Sequence, residues 1–119
     1  MEVNAMPKLP LVRPRDAWQG VQMFCTTRAG GVGSPPYDTF NLGLGAGDAP
    51  EIVQKNRQIL RALLPGDPVW LSQVHGTRVI DADDVNQCHE EGAAPRADAS
   101  VTSQPGRVLA VLTADCLSV

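Results

Sequence analysis

The sequence predicts an α/β chain of the α+β kind, a mixed sheet flanked by helices, and three observations carry that prediction. Short apolar runs of strand length alternate with polar or glycine-rich stretches. One longer segment, Asp48 to Leu64, repeats its apolar residues at helical spacing. The run at 108–112 is apolar at every position, which suits a strand covered on both faces.

Each element follows in order. Residues 1–16 carry Pro7, Pro10 and Pro14 and read as a loosely held lead-in. Val21 to Thr27 reads as a strand. Ala29 to Asp38 is a loop with the turn signal Ser34-Pro35-Pro36, prolonged by Gly43, Gly45 and Gly47. Asp48 then opens a helix, with Pro50 in its first turn and Glu51 at capping-box spacing from Asp48. Ile52, Val53, Ile59, Leu60, Leu63 and Leu64 fall on one helical face, with Lys55, Arg57 and Arg61 off it. Pro65-Gly66 ends the helix. Val69–Val74 and Arg78–Asp81 read as strands around His75-Gly76, and Asp83 to Pro95 as an exposed connection. Ala97–Thr102 and Arg107–Thr113 are the last two strands, turned at Gln104-Pro105-Gly106. No internal repeat or linker breaks this order, so 1–119 reads as one domain.

Composition excludes several classes of partner. The net charge is −3 with a pI near 5.2, and the ten basic residues form no block, which argues against nucleic acid and against an anionic membrane. Aromatic residues make up only 4%, too few for a base-stacking surface. The N-terminal stretch has no continuous apolar core of a signal peptide, and no run approaches the ~18 apolar residues of a membrane span. The three cysteines, at 25, 88 and 116, do not suggest a disulfide framework. A reducing, cytoplasmic setting is expected.

Two polar signatures close apolar runs, where a rigid scaffold meets an open loop. They are Leu71-Ser72-Gln73-Val74-His75-Gly76-Thr77 and Leu112-Thr113-Ala114-Asp115-Cys116. On residues alone, His75 fits a strand-end histidine bonded to backbone or a ligand shown by a tight turn at Gly76. Cys116 fits a buried small hydrophobe or a thiolate ligand or nucleophile, with Asp115 beside it as a carboxylate that needs a partner. Cys25 reads as core, and Cys88-His89 as a pair whose side chains cannot easily converge on one ion. Arg28 with Gly30 and Gly31 fits an anion site or an ordinary turn. Asn41 fits a turn-stabilising residue or a substrate contact.

Taken together, QVHGT at 73–77, ADAS.T..PG from Ala97 to Gly106 and LAVLTADC at 109–116 resemble the YfiH-like family, also called the laccase-domain or polyphenol oxidoreductase family. Thr26-Thr27-Arg28-Ala29-Gly30-Gly31 and Phe40-Asn41-Leu42-Gly43 match the same pattern, in order and with compatible spacing. Ser118 departs from it, since members commonly carry proline there. The resemblance implies a zinc purine nucleoside phosphorylase, acting on adenosine, inosine and methylthioadenosine, with adenosine deaminase activity. It implies zinc held by His75, Cys116 and a second histidine expected beyond residue 119, and phosphate or substrate contacts at Arg28, Gly30, Gly31 and Asn41. Asp115 is the candidate catalytic carboxylate. On this reading the chain is the N-terminal part of one domain, truncated at its C-terminal end and inactive alone.

Three functions compete. A three-ligand zinc site leaves one position open and acidifies bound water toward about pH 7, which suits deamination at a purine C6. Phosphorolysis asks instead for an anion pocket and a group that eases departure of the base. A copper polyphenol oxidoreductase is the second function; a multicopper site needs a His₂Cys centre and a separate histidine-rich cluster, whereas this chain has two histidines. The third is a metal-independent hydrolase using Cys116 with His75.

Overall fold

The computed structural model describes residues 9–16, 18–88 and 94–113, and its class is α+β, as expected. The elements in chain order are β1 (Leu11–Val12), β2 (Cys25–Thr26), α1 (Pro50–Arg61), β3 (Pro68–Val69), β4 (Val79–Asp81), α2 (Val85–Cys88), β5 (Ala99–Val101) and β6 (Val108–Leu109). β1 and β2 pair antiparallel, whereas β3 pairs with β6 and β4 with β5 in parallel. The mixed pairing expected of one sheet is thus distributed over three two-stranded ladders among the described residues. The fold divides into two units, one ending at Ile59 and the other beginning at Leu60.

In the first unit, the stretch read as a lead-in contributes structure of its own. Leu9 is buried, and β1 lies opposite β2 with Leu11 against Thr26 and Val12 against Cys25. Successive strand residues face opposite sides. Val12 and Cys25 therefore share the exposed side, which corrects the expectation that Cys25 is core. Arg13 lies 5.5 Å from the centroid of the Phe24 ring, a cation–π contact on this hairpin.

The glycine-rich loop and α1 are joined by one buried amide. Asn56, on the inward face of α1, is fully buried. Its Oδ1 accepts the Val32 N–H at 3.0 Å, and its Nδ2 donates to the Asn41 carbonyl at 3.0 Å. The buried face of α1 is thus Val53, Asn56 and Leu60, with Ile52 and Ile59 half-buried at its margin. Leu63 lies past the end of the helix and is exposed. A Cβ at Gly31 would fall on Asn56 Oδ1, the Thr39 carbonyl and the Phe40 ring, so close backbone approach requires glycine there.

The start of α1 differs from the expected capping box. Ala49 supplies the carbonyl that accepts from Ile52 and Val53, and Pro50 takes the first helical position, where its missing N–H costs nothing. Asp48 stands one residue earlier and accepts from Ala49 N–H at 2.8 Å. Arg57, expected on a solvated face, is half-buried and donates from Nε to the Leu42 carbonyl at 2.8 Å.

In the second unit the core is Leu71, Ile80 and Ala97, with Val69 packed against it. The segment 95–101 is shared by two partners. Ser72 bridges Arg96 in parallel, and β4 then takes over opposite β5, from Val79↔Ala99 to Asp81↔Val101. The stretch expected as an exposed connection opens with a short helix, α2. Asp84 caps it, Oδ1 accepting from Asn86 N–H at 2.9 Å, because a carboxylate satisfies the free amides of a first turn. The strand expected to be covered on both faces is a two-residue β6, and Leu109 and Val111 are 36% and 53% exposed. Among the described residues β6 pairs only with β3, and half-buried and exposed side chains alternate from Val108 to Leu112, so one face is covered and the other open.

Asp83 closes the turn between β5 and β6. It accepts from Ser103 N–H at 2.8 Å and from the hydroxyls of Thr102 and Ser103, and Arg107 Nε stands 3.3 Å away. The Ser103 amide first, then the Thr102 hydroxyl, hold its carboxyl below its ordinary value against an opposing desolvation. With the folded-state pKa below the unfolded one, this contribution to stability is fully present above the unfolded value of about 3.9 and is lost as pH falls through the folded value. Asp83→Asn is therefore expected to flatten the pH dependence of the denaturation midpoint below about pH 4 while lowering the midpoint at pH 7. An unaltered acid limb would show that Asp83 does not carry it. For the first unit, Asn56→Ala is expected to cost about 1–3 kcal/mol, through the two backbone groups it leaves unpaired. Urea unfolding with an unchanged slope measures it.

Candidate functional site

Between Ser72 and Val79 the chain leaves one parallel partnership and enters the next. Ser72 N–H donates to the Pro95 carbonyl at 2.8 Å, and Ala97 N–H returns to the Ser72 carbonyl at 3.1 Å. Residues 73–78 loop out before β4 begins, and Asp98 is the residue of the shared strand that faces this gap. Its own N–H donates to the Arg78 carbonyl at 3.2 Å.

The Asp98 carboxylate organises the loop. Oδ1 accepts from Val74 N–H at 3.1 Å and from His75 N–H at 2.8 Å, and Oδ2 accepts from Gly76 N–H at 2.7 Å. Three consecutive amides converge on one anion, the arrangement by which backbone concavities bind negative charge. The Gly76 amide is the largest influence lowering the Asp98 pKa, followed after an opposing desolvation by those of His75 and Val74 and by the charge of His75 itself. His75 is exposed and has φ 59°, the left-handed region a β-carbon disfavours. The tight turn therefore bends at His75, while Gly76, expected to supply it, is not among the left-handed glycines.

The two sequence signatures meet at a second contact. Gln73 Nε2 donates to the Leu112 carbonyl, joining the QVHGT turn to the run that leads into the second signature. Asp115 and Cys116 lie outside the described residues, as does His89 of the Cys88-His89 pair.

The remaining candidates belong to the first unit. The Arg28 side chain is 86% exposed, and its Nε stands 3.2 Å from Asp38 Oδ2. The Gly30 and Gly31 amides donate to Thr39 Oγ1 at 3.1 and 3.4 Å, so an anion there would have to displace the Thr39 hydroxyl. Asn41 is engaged within the loop. Its Nδ2 donates to Asp48 Oδ2 and to the Gly43 carbonyl, both at 3.3 Å, and its Oδ1 accepts the Gly43 N–H at 3.0 Å. That is the turn-stabilising alternative of the sequence reading.

Sequence reasoning missed Asp98, Gln73 and Asn56 as participants. Asp98 and Gln73 were in plain view inside ADAS and QVHGT. A carboxylate flanked by alanines at a strand end was the available signal for Asp98. An imidazole suits zinc or copper, and His75 offers an exposed one on a braced turn. One donor is not a site, and the described residues hold no cluster of three or more His, Cys, Asp or Glu able to bind an ion.

The mixed α+β fold matches a known class. The chain belongs to the multi-copper polyphenol oxidoreductase laccase family, whose model matches residues 22–119. It is similar to purine nucleoside phosphorylase YfiH of Shigella flexneri, 47% identical over 116 residues covering 96% of this chain and 43% of the relative. The YfiH protein of Escherichia coli K12, of the same name, is 50% identical over 103 residues, 85% of this chain and 40% of the relative. The purine nucleoside phosphorylase of Xylella fastidiosa 9a5c is 46% identical over 123 residues, 98% of this chain and 47% of the relative. The crystal structure of Neisseria meningitidis protein NMB0706, of family DUF152, aligns with a TM-score of 0.75 at 37% identity over 91% of this chain and 42% of that one. The chain thus spans less than half the length of these relatives.

The left-handed turn makes a specific expectation about His75. His75→Gly is expected to be about 1 kcal/mol more stable than His75→Ala, since only glycine accepts φ 59° without strain. Equal denaturation midpoints for the two variants would show that the turn relaxes when the imidazole is removed.

Proposed function

We propose that residues 1–119 form the N-terminal part of a purine nucleoside phosphorylase domain that also deaminates adenosine. The observation that carries this reading is the identity of 47% over 96% of the chain to a relative bearing that name. The meeting of the two signatures at Gln73 and Leu112 supports it, because the candidate ligands His75 and Cys116 follow those positions closely in sequence. The substrates would be a purine nucleoside (adenosine, inosine or methylthioadenosine) and phosphate, in a cytoplasmic setting.

Zinc is the proposed metal, with His75 and Cys116 as ligands and a further histidine from outside this chain. Bound there, it would supply a Lewis-acidic position open to water or substrate. Copper is the alternative ion, and a multicopper set would need a His₂Cys centre with a separate histidine-rich cluster. The chain's own residues take the other parts. Arg28 offers an exposed guanidinium for phosphate, with Asp38 beside it as the carboxylate to be exchanged for the anion. Asp115 is the candidate catalytic carboxylate. Gly30, Gly31 and Asn41 shape the loop that carries Arg28.

The test is phosphate-dependent release of free base from inosine and adenosine by the full-length protein. Arg28→Ala is expected to raise the phosphate concentration needed for half-maximal rate and to leave zinc content unchanged. Residues 1–119 alone are expected to bind zinc poorly and to show no turnover, since metal binding is coupled to gathering all the ligands. Base release independent of phosphate would overturn phosphorolysis. Activity that survives chelation would favour a Cys116/His75 hydrolase.

A further inference from the structure

We infer that Asp98 is the positioning residue of this site: it holds residues 74–76 in the conformation that shows the His75 imidazole to a ligand. The inference rests on reading His75 as a functional imidazole and concerns a residue to which that reading gives no role.

The geometry carries it. His75 has φ 59°, which an L side chain does not adopt without compensation. The compensation is local, for the amides of Val74, His75 and Gly76 all end on Asp98, at 3.1, 2.8 and 2.7 Å. Such a concavity is a ready anion site, and here the anion is built into the chain. The backbone that carries the carboxylate is fixed from both sides. Ala97 N–H is bonded to the Ser72 carbonyl, and Asp98 N–H to the Arg78 carbonyl, so the ladders before and after the loop brace it. Asparagine at this position is not equivalent. Its NH₂ would oppose either the Gly76 amide or the Val74 and His75 pair, donor against donor. Asp98 then acts through His75 alone, by fixing the backbone from which the imidazole projects.

The experiment is a double-mutant cycle in the full-length protein with Asp98→Asn, His75→Ala and both together. Amide hydrogen exchange and zinc affinity are the readouts, with free zinc as the probe. Asp98→Asn is expected to speed exchange at Val74, His75 and Gly76 at least tenfold while leaving Ile80 and Ala82 unchanged. It is expected to weaken zinc binding about 10–100-fold, the usual effect of removing a group that orients a ligand. The double variant should bind zinc no more weakly than His75→Ala alone. If Asp98→Asn also opens Ile80, Asp98→Glu, which keeps both acceptor oxygens, takes its place with the same expectations. Zinc affinity unchanged in the Asp98 variant, or additive losses in the double variant, would overturn the proposal. Wild-type zinc affinity in His75→Ala would instead sink the reading of His75 itself, and the proposal with it.

Discussion

A carboxylate that gathers three consecutive backbone amides is the constraint on which the second unit turns. Without Asp98, the loop between Ser72 and Val79 would leave three N–H groups to solvent and a β-carbon in a disfavoured conformation. With it, the chain can leave one parallel partner and join another along the same strand, because the interruption is itself hydrogen-bonded. The exposed imidazole at this interruption follows from a backbone requirement as much as from chemistry.

The first unit depends on a different device. A buried amide on α1 satisfies one group from each of two loop segments, Val32 N–H and the Asn41 carbonyl. This works only because Gly31 brings the loop within reach of the helix. Low-complexity glycine stretches are often treated as slack. Here the loop is tied by Thr39 to Gly30, Gly31 and the Arg28 carbonyl, and by Asn56 to α1. The residue composition that looks flexible in sequence is the composition that permits this closeness.

Much of this was legible in the residues. The class was, and so was α1 as a helix opening near Asp48 with Pro50 in its first turn, because amphipathic period and proline placement are local signals. The family was legible from short motifs in order along the chain, and the match over 22–119 bears that out. Features fixed by side-chain-to-backbone bonds were not. Nothing in a helical face of Val53, Asn56 and Leu60 announces that the polar member is as fully buried as Val53. Likewise Gly76 carries the usual signal of a left-handed turn, yet the bend falls on His75, since the three-amide convergence on Asp98 decides it. Strand lengths were overread. Val69–Val74 became a two-residue β3 and one bridge, and Arg107–Thr113 a two-residue β6, because hydrophobic runs mark where a strand can form and ladders mark where it pairs.

The contact between Gln73 and Leu112 has a consequence for alignment along the sheet. The β3–β6 ladder consists of two residue pairs, Pro68↔Val108 and Val69↔Leu109, and so short a ladder holds its register weakly. A slip of one residue would reverse which side of the strand each following side chain occupies. By gripping a single carbonyl beyond the ladder, the Gln73 amide makes such a slip discontinuous rather than gradual. It works as a detent, and the parity of the residues between Val108 and Thr113 is set by it.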